Sequence, residues 1–260
     1  MSRWISASCI VLWVLSGCNS DTGPTPIGPT QVLNVPADFA SIQEAINASR
    51  SGDTVRVAPG FYKEDLTIDS KSLTLLGAGR GISIIQGFVI FKTSQGSFKG
   101  FTVTGSTLSG LHLVNSNMTL SSNQIDHSAL SGIKVEKSSG VISDNQILNN
   151  QEEGILVEDT LGLVIGSNVI EGNQSDGITL NNSSPTILDN TIENNGADGI
   201  SIRGFALFSA PLLNRNKING NGSTSNYDIV CMGPVTNPTG SGNSFGDCLN
   251  CTECSTLASR

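Results

Sequence analysis

The apolar positions of this chain repeat in three series that keep one register. Gly110-Leu111, Gly132-Ile133, Gly154-Ile155, Gly177-Ile178 and Gly199-Ile200 recur at intervals of 22, 22, 23 and 22 residues. A second series runs Asn123-Gln-Ile125, Asn145-Gln-Ile147, Asn168-Val-Ile170, Asn190-Thr-Ile192 and Asn216-Lys-Ile218. A third apolar position stands three residues before each of these asparagines: Leu120, Ile142, Ile165, Ile187 and Leu213. Around each glycine, apolar and variable residues alternate, as in Gly132-Ile133-Lys134-Val135-Glu136, which is the period of a β-strand. Within the repeats no segment has the length and spacing of a helix.

Each unit therefore offers several short strands separated by Gly, Asn and Ser turns. One unit cannot bury its apolar side alone, but stacked units bury a continuous column. Equivalent residues in neighbouring coils then lie about 4.8 Å apart, the spacing of hydrogen-bonded strands. The asparagine series is expected to form a ladder inside a turn, where side-chain amides satisfy backbone groups and tolerate left-handed conformations. The register extends backwards, because Val89 lies 22 residues before Leu111, and Phe101 and Val103 lie 22 before Asn123 and Ile125. Stretches at 54–57, 66–68, 73–76 and 83–85 read as earlier, less regular coils. Ahead of them, Ser41-Ile42-Gln43-Glu44 is a capping box opening a short helix whose apolar Ile42, Ala45 and Ile46 close the end of the column.

At this point the chain resembles a known family. Val35-Pro-Ala-Asp-Phe-Ala-Ser-Ile-Gln-Glu-Ala-Ile46, Gly52-Asp-Thr-Val55, Pro59-Gly-Phe-Tyr62 and Leu73-Thr-Leu-Leu-Gly-Ala-Gly79 are similar to the start of pectin-lyase-like β-helix proteins. The Gly-Ile and Asn-x-Ile series resemble their repeats. The resemblance implies an all-β fold, a right-handed parallel β-helix of about 22-residue coils with a short N-terminal capping helix. It does not select an activity, since this fold carries lyases, hydrolases, esterases, epimerases and non-enzymes.

Beyond the repeats, the first residues change the picture. Arg3 is followed by a mostly apolar run, Trp4 to Leu15, too short to span a bilayer, which ends in Leu15-Ser16-Gly17-Cys18. That ending resembles the lipobox of bacterial lipoproteins and implies cleavage before Cys18 and acylation of its sulfur. The expected organisation is a signal peptide at 1–17, a lipid-anchored linker at 18–31, the β-helix at 32–225 and a cysteine-rich cap or tail at 226–260. Asn19 favours sorting to the outer membrane or cell surface. Export permits disulfides. Cys231, Cys248, Cys251 and Cys254 can pair in three ways, and Cys248-x-x-Cys251-x-x-Cys254 also fits a Cys₄ zinc site.

Of the 260 residues, 29 are glycine and 14% are charged, and the net charge is −8. With no basic cluster to displace phosphate counterions, nucleic acid is not an expected partner. A monomer attached to a membrane, meeting a polysaccharide or a surface protein, is expected instead. Strand alternation points two rows outward: His112, Lys134, Leu156, Thr179, Ser201, and Val114, Glu136, Glu158, Asn181, Arg203. In a sugar-acting enzyme such a face is the groove, with a cation or histidine as base and carboxylates as acid or metal ligands. Lys134, Glu136, Glu158 and Arg203 are therefore the catalytic candidates and His112 a binding candidate. The longer loop Gly204-Phe-Ala-Leu-Phe-Ser-Ala-Pro211 adds Phe205 and Phe208, either as a contact patch or as packing against the C-terminal cap. Glu153, Asp176 and Asp198 precede successive glycines, and stacked carboxylates of this kind could hold Ca²⁺.

Ile125-Asp126-His127-Ser128 resembles a short pectate lyase motif, but the arginine-rich motif that accompanies it there is absent, and His127 reads as a turn residue. Both tryptophans, Trp4 and Trp13, fall in the leader, leaving few aromatic platforms for sugar stacking. The reading is an envelope lipoprotein that binds or scaffolds at the surface, with glycan as ligand class. The rivals are a polysaccharide lyase or hydrolase working on the same face, and a structural stalk. The register makes Ile155 inward, so Ile155→Asp should bury an unpaired charge and collapse the column. A soluble variant with the far-ultraviolet dichroism of the parent would overturn that register.

Overall fold

The computed structural model describes residues 30–204, 209–222, 227–234, 236–252 and 254–258. It is a right-handed parallel β-solenoid of about 10 coils. Three parallel sheets run its length. A ten-stranded sheet extends from Val32–Val35 to Thr239–Ser241, a nine-stranded sheet from Leu66–Asp69 to Cys248–Leu249, and an eight-stranded sheet from Gly60–Tyr62 to Lys217–Asn219. The three sequence series map onto them in order. Gly-Ile strands such as Ile133–Glu136 form the nine-stranded sheet, Leu120 and its equivalents sit in the ten-stranded sheet, and Asn-x-Ile strands form the eight-stranded sheet.

Alternation puts every second side chain into the column. Leu111, Ile133, Ile155, Ile178, Ile200 and Ile229 stack in one register, all fully buried. Nearer the N-terminal end the column widens to take aromatics. Phe98 and Phe101 stack at 4.4 Å, and Phe91 meets Phe98 edge-on at 5.8 Å. Phe101 occupies the inward place that Asn123 takes one coil later.

Each corner between sheets carries its own row of buried polar side chains. Between the nine- and ten-stranded sheets, Ser116 N donates to Ser138 Oγ at 2.9 Å, and Ser94, Thr160, Ser183 and Ser209 continue the row. At the next corner stand Asn123, Asn145, Asn168, Asn190, Asn216 and Asn243. Asn145 Nδ2 donates to Leu120 O of the preceding coil at 2.9 Å and to Asn168 Oδ1 of the following coil at 3.1 Å. The expected asparagine ladder is present. A second amide row, which the sequence reading missed, fills the third corner with Asn150, Asn173, Asn195 and Asn221. Its signal was available, since each residue follows a first-row asparagine by five positions.

This second row explains the glycine series. A Cβ on Gly132 would lie 2.7 Å from Asn150 Nδ2, 2.6 Å from Ile147 Cγ2 and 2.8 Å from Gly154 O. Glycine at the strand entrance is therefore a space requirement of the isoleucine methyl, the amide and the next coil's carbonyl that crowd it.

The ends are sealed as the sequence implied, with one difference. Helix Ile42–Ala48 has the full capping box of Ser41 and Glu44, and it buries Ile42, Ala45 and Ile46. Glu64 also accepts from the amides of Ile42 and Gln43, and Lys71 Nζ donates to the carbonyls of Ile46, Asn47 and Ser49. At the other end the parallel ladder runs past residue 225: Ile229–Met232, Thr239–Ser241 and Cys248–Leu249 all pair with preceding coils. The cysteine-rich segment thus contains the last strands of the solenoid. Its thiols form two disulfides, Cys231–Cys251 and Cys248–Cys254.

Ser128 heads the second amide row, and its buried Oγ has no hydrogen-bond partner. Gly110 already leaves the space behind it, as Gly132 does for Asn150. Ser128→Asn should extend the row by one rung and remove an unsatisfied hydroxyl, stabilising the protein by about 1 kcal/mol. Thermal unfolding should then rise by roughly 2–4 °C; an unchanged or lower midpoint would show that the row gains nothing from its next member.

Candidate functional site

Strand alternation exposes one polar cluster on the nine-stranded sheet. His112, Lys134 and Leu156 lie in one outward row, and Val114, Glu136, Glu158, Asn181 and Arg203 in the next. Lys134 Nζ sits 2.6 Å from Glu136 Oε1 and 3.1 Å from Glu158 Oε2, and so joins two consecutive coils. Asn181 Nδ2 donates to the other Glu158 oxygen at 3.3 Å. His112 Nε2 approaches Glu136 Oε1 at 3.5 Å, too long for a formed hydrogen bond, and that buried nitrogen has no other partner.

The charges follow from these contacts. Burial alone works against a charged Lys134, but the hydrogen bonds and attraction of Glu136 and Glu158 outweigh it and raise its pKa. Burial likewise opposes ionised Glu136, and Lys134 overcomes it, holding the carboxyl below the usual glutamate range. Desolvation pushes the His112 imidazole below its ordinary value against the pull of Glu136, so the ring is neutral at pH 7. The cluster is a protonated lysine between carboxylates, with a neutral histidine beside it.

Arg203 belongs to a different group. Its Nη2 pairs with buried Asp176 at 3.0 Å and its Nε donates to Ser201 Oγ at 3.1 Å. Asp176 also accepts from Thr179 Oγ1 at 2.7 Å and from the Asp198 amide at 3.0 Å. Asp198 accepts from the Tyr227 amide, and desolvation, helped by the nearby Asp176 charge, raises its pKa despite that bond. Glu153 instead accepts from Ser131 Oγ at 2.9 Å.

The Ca²⁺ expectation rests on these three carboxylates. Both Asp176 oxygens are taken by protein donors, and the Arg203 guanidinium stands where the cation was expected. Among the described residues, Glu153, Asp176 and Asp198 do not converge as a three-ligand set. The one group of three potential ligands is Cys248, Cys251 and Cys254, whose sulfurs are committed to disulfides.

Beside the Lys134 cluster runs an open groove of about 350 Å³, whose walls include Glu136, Lys137, Glu158, Asp159, Asn115 and Asn182. The corner residues Asn115, Lys137, Asp159 and Asn182 take left-handed backbone and line this groove. The sequence reading did not single them out, although they fall one position beyond the outward row in each coil. Cys18, Phe205 and Phe208 lie outside the described residues. His127 sits apart from the cluster, in a left-handed turn as expected.

Residues 86–250 match the family described as right handed beta helix region. The chain belongs to that family. Several solved β-helices share its fold. The periplasmic alginate epimerase AlgG aligns with 77% of this chain and 52% of its own, at 15% identity and a TM-score of 0.59. The chain therefore spans about half the length of that epimerase. An alginate lyase from Paenibacillus sp. aligns with 84% of this chain and 97% of its own, at 15% identity and a TM-score of 0.62. A pectate lyase aligns with 84% of this chain and 64% of its own, at 12% identity and 0.52. At such identities the likeness is one of fold. No curated protein sequence matches the chain significantly.

In this β-helix protein the Lys134 cluster carries a definite pH signature. Glu136 has a depressed pKa, so its contribution is present above the ordinary glutamate range and is lost as pH falls through the folded value. The depressed His112 adds a loss of the same sign as pH falls below the ordinary histidine range. Lys134→Met should remove about 1 kcal/mol, the scale of a partly exposed ion pair. It should also return the Glu136 titration upward. Urea unfolding and carboxyl NMR titration test both, and an unmoved Glu136 would mean that Lys134 does not hold it.

Proposed function

We propose that this protein is an exported surface module that binds polysaccharide along the groove beside Lys134, without cleaving it. The observation that carries this reading is the clamping of Lys134 between Glu136 and Glu158. A lyase base must take a proton from the substrate, and a lysine held charged by two carboxylates is poorly placed to do so. The groove instead offers carboxylate acceptors and amide groups at a repeating spacing of about 4.8 Å. Such an array suits the hydroxyls of a neutral chain more than a polyuronate, whose carboxylates would meet Glu136, Glu158 and Asp159 against the single ammonium of Lys137.

Two further points support the setting. Two disulfides fit an oxidising compartment, and acylation at Cys18 would hold the module at a membrane. The structural neighbours that process polysaccharides lend the ligand class.

One observation favours an enzyme instead. The neutral His112 beside Glu136 is a base with a carboxylate partner, and a substrate that displaced Lys134 would leave that pair intact. Incubation of the protein with neutral and acidic polysaccharides separates the two. Retention on neutral polymers, weakened at least tenfold by Glu158→Ala and without new reducing ends or unsaturated products, is the expected result. Product release that disappears with Lys134→Ala or His112→Ala would replace binding with catalysis.

A further inference from the structure

Charge is distributed unevenly along the solenoid. Residues 30–105 carry seven Lys or Arg against six Asp or Glu, whereas residues 106–260 carry six against fifteen. The first coils are thus near neutral, and the rest of the body holds the whole excess of negative charge. Pairing divides at the same place. Among the described residues every ion pair lies beyond residue 110, and no cation before it is ion-paired.

Three of these unpaired cations stand around the capped end. Arg50 follows helix Ile42–Ala48. Arg56, on strand Thr54–Val57, lies beside Asn34 of the end strand of the ten-stranded sheet. Lys63 follows Gly60–Tyr62, the end strand of the eight-stranded sheet. All three are exposed. The carboxylates of this end are instead turned onto backbone amides. Asp38 accepts from the amide of Asn34, Glu44 from that of Ser41, Asp53 from those of Gln31 and Arg50, and Asp65 from that of Phe88. Large apolar side chains are exposed among the cations. Phe61 on one end strand is 61% exposed, Val32 on the other 47%, and Ile82, whose carbonyl accepts from the Gly60 amide, 48%. Cations interleaved with exposed apolar side chains are the make-up of surfaces that lie at a membrane interface.

We propose that the capped N-terminal end rests on an anionic lipid bilayer, with Arg50, Arg56 and Lys63 against the phosphate headgroups and Phe61 and Val32 at the interface. The solenoid then stands upright from the membrane. This rests on the reading that acylation at Cys18 holds the module there. Only 13 residues separate Cys18 from Val32, a reach of at most about 50 Å. An anchor so close keeps this end near the headgroups at an effective concentration on the order of millimolar, so a contact of a few cations is populated without having to bind from solution.

The tether by itself sets no orientation; the charge does. Upright, the acidic coils begin about four strand spacings from the bilayer, roughly 19 Å, or about two Debye lengths at physiological salt. Lying flat would press them against headgroups of like charge. The upright posture also carries the Lys134 groove clear of the membrane and aligns its outward rows with the bilayer normal.

The test uses the full chain isolated from cell membranes, with acylation of Cys18 read by mass. It is placed on vesicles of phosphatidylcholine, alone or mixed with phosphatidylglycerol, and footprinted with hydroxyl radicals. Leu161 is the internal control, since it is 70% exposed, like Phe61, but stands midway along the solenoid. On the anionic vesicles Phe61 oxidation should fall several-fold while that of Leu161 is unchanged. On phosphatidylcholine, or on anionic vesicles in molar salt, Phe61 should react as it does in detergent. Arg50→Gln, Arg56→Gln and Lys63→Gln together should remove the protection, since each cation at such a surface contributes roughly fivefold to the bound population. An unchanged thermal midpoint of that variant shows that the fold is kept. Equal Phe61 reactivity on anionic and neutral vesicles would overturn the proposal. So would protection that survives the triple substitution or covers Leu161 equally. If mass shows no acyl group at Cys18, the anchor reading falls by itself. Salt-sensitive sedimentation of that same chain with the anionic vesicles, lost in the triple variant, then upholds the contact, and its absence overturns it.

Discussion

The constraint on which this solenoid depends is the satisfaction of buried polar groups at its three corners. Where the chain leaves one sheet for the next, the backbone turns through left-handed residues. Amides there cannot all reach a neighbouring strand, and each orphan would cost about 1–3 kcal/mol. The asparagine rows resolve this with a repeating unit. Each side chain accepts from the amides of the previous coil and donates both to a backbone carbonyl and to the next asparagine. A rung is satisfied only if its neighbours stand in register, so the ladders lock adjacent coils at one strand spacing. The apolar column already forbids a slip of one residue, which would turn its side chains outward, and the amide rows forbid a slip of two as well.

That dependence explains what was legible in the sequence. A residue that must repeat in register leaves a period, and the Asn-x-Ile series carries that period in the sequence. The Gly-Ile series was equally visible, but its cause was not. Gly132 reads as a turn residue, whereas in the structure it makes room for Asn150, a contact between residues 18 positions apart across the corner. The N-terminal cap was readable because a capping box is local, while Lys71 and Glu64, which hold that helix from other coils, leave no local trace.

The site was legible to the same depth. Period two and the 22-residue repeat placed Lys134, Glu136 and Glu158 on one outward patch, and they meet there. Arg203 shares their face by the same rule, yet it turns to Asp176, which precedes its strand by a whole coil. Glu158 lies two rungs from Arg203, with Asn181 between them, whereas buried Asp176 is within reach of the guanidinium. The carboxylate row suggested a metal for the same reason that it attracted an arginine: the repulsion had to be relieved, and sequence spacing cannot say by what.

A scaffold locked by corner ladders also determines what kind of chemistry its faces suit. Side chains project from adjacent coils at a fixed interval and from strands that are parallel throughout, so outward groups form straight rows with little freedom to converge. Convergence around a reacting atom must then come from the corners, where left-handed residues swing side chains off the strand line, or from inserted loops. Extended ligands need no such convergence; they need contacts repeated along a line, and the strand rows supply them with the entropy cost of ordering already met by the fold. In this chain the Lys134 cluster lies on a strand row and is neutralised within it. The same constraint that makes the solenoid rigid thus sets its outward polar groups in straight rows, with convergence left to the corners.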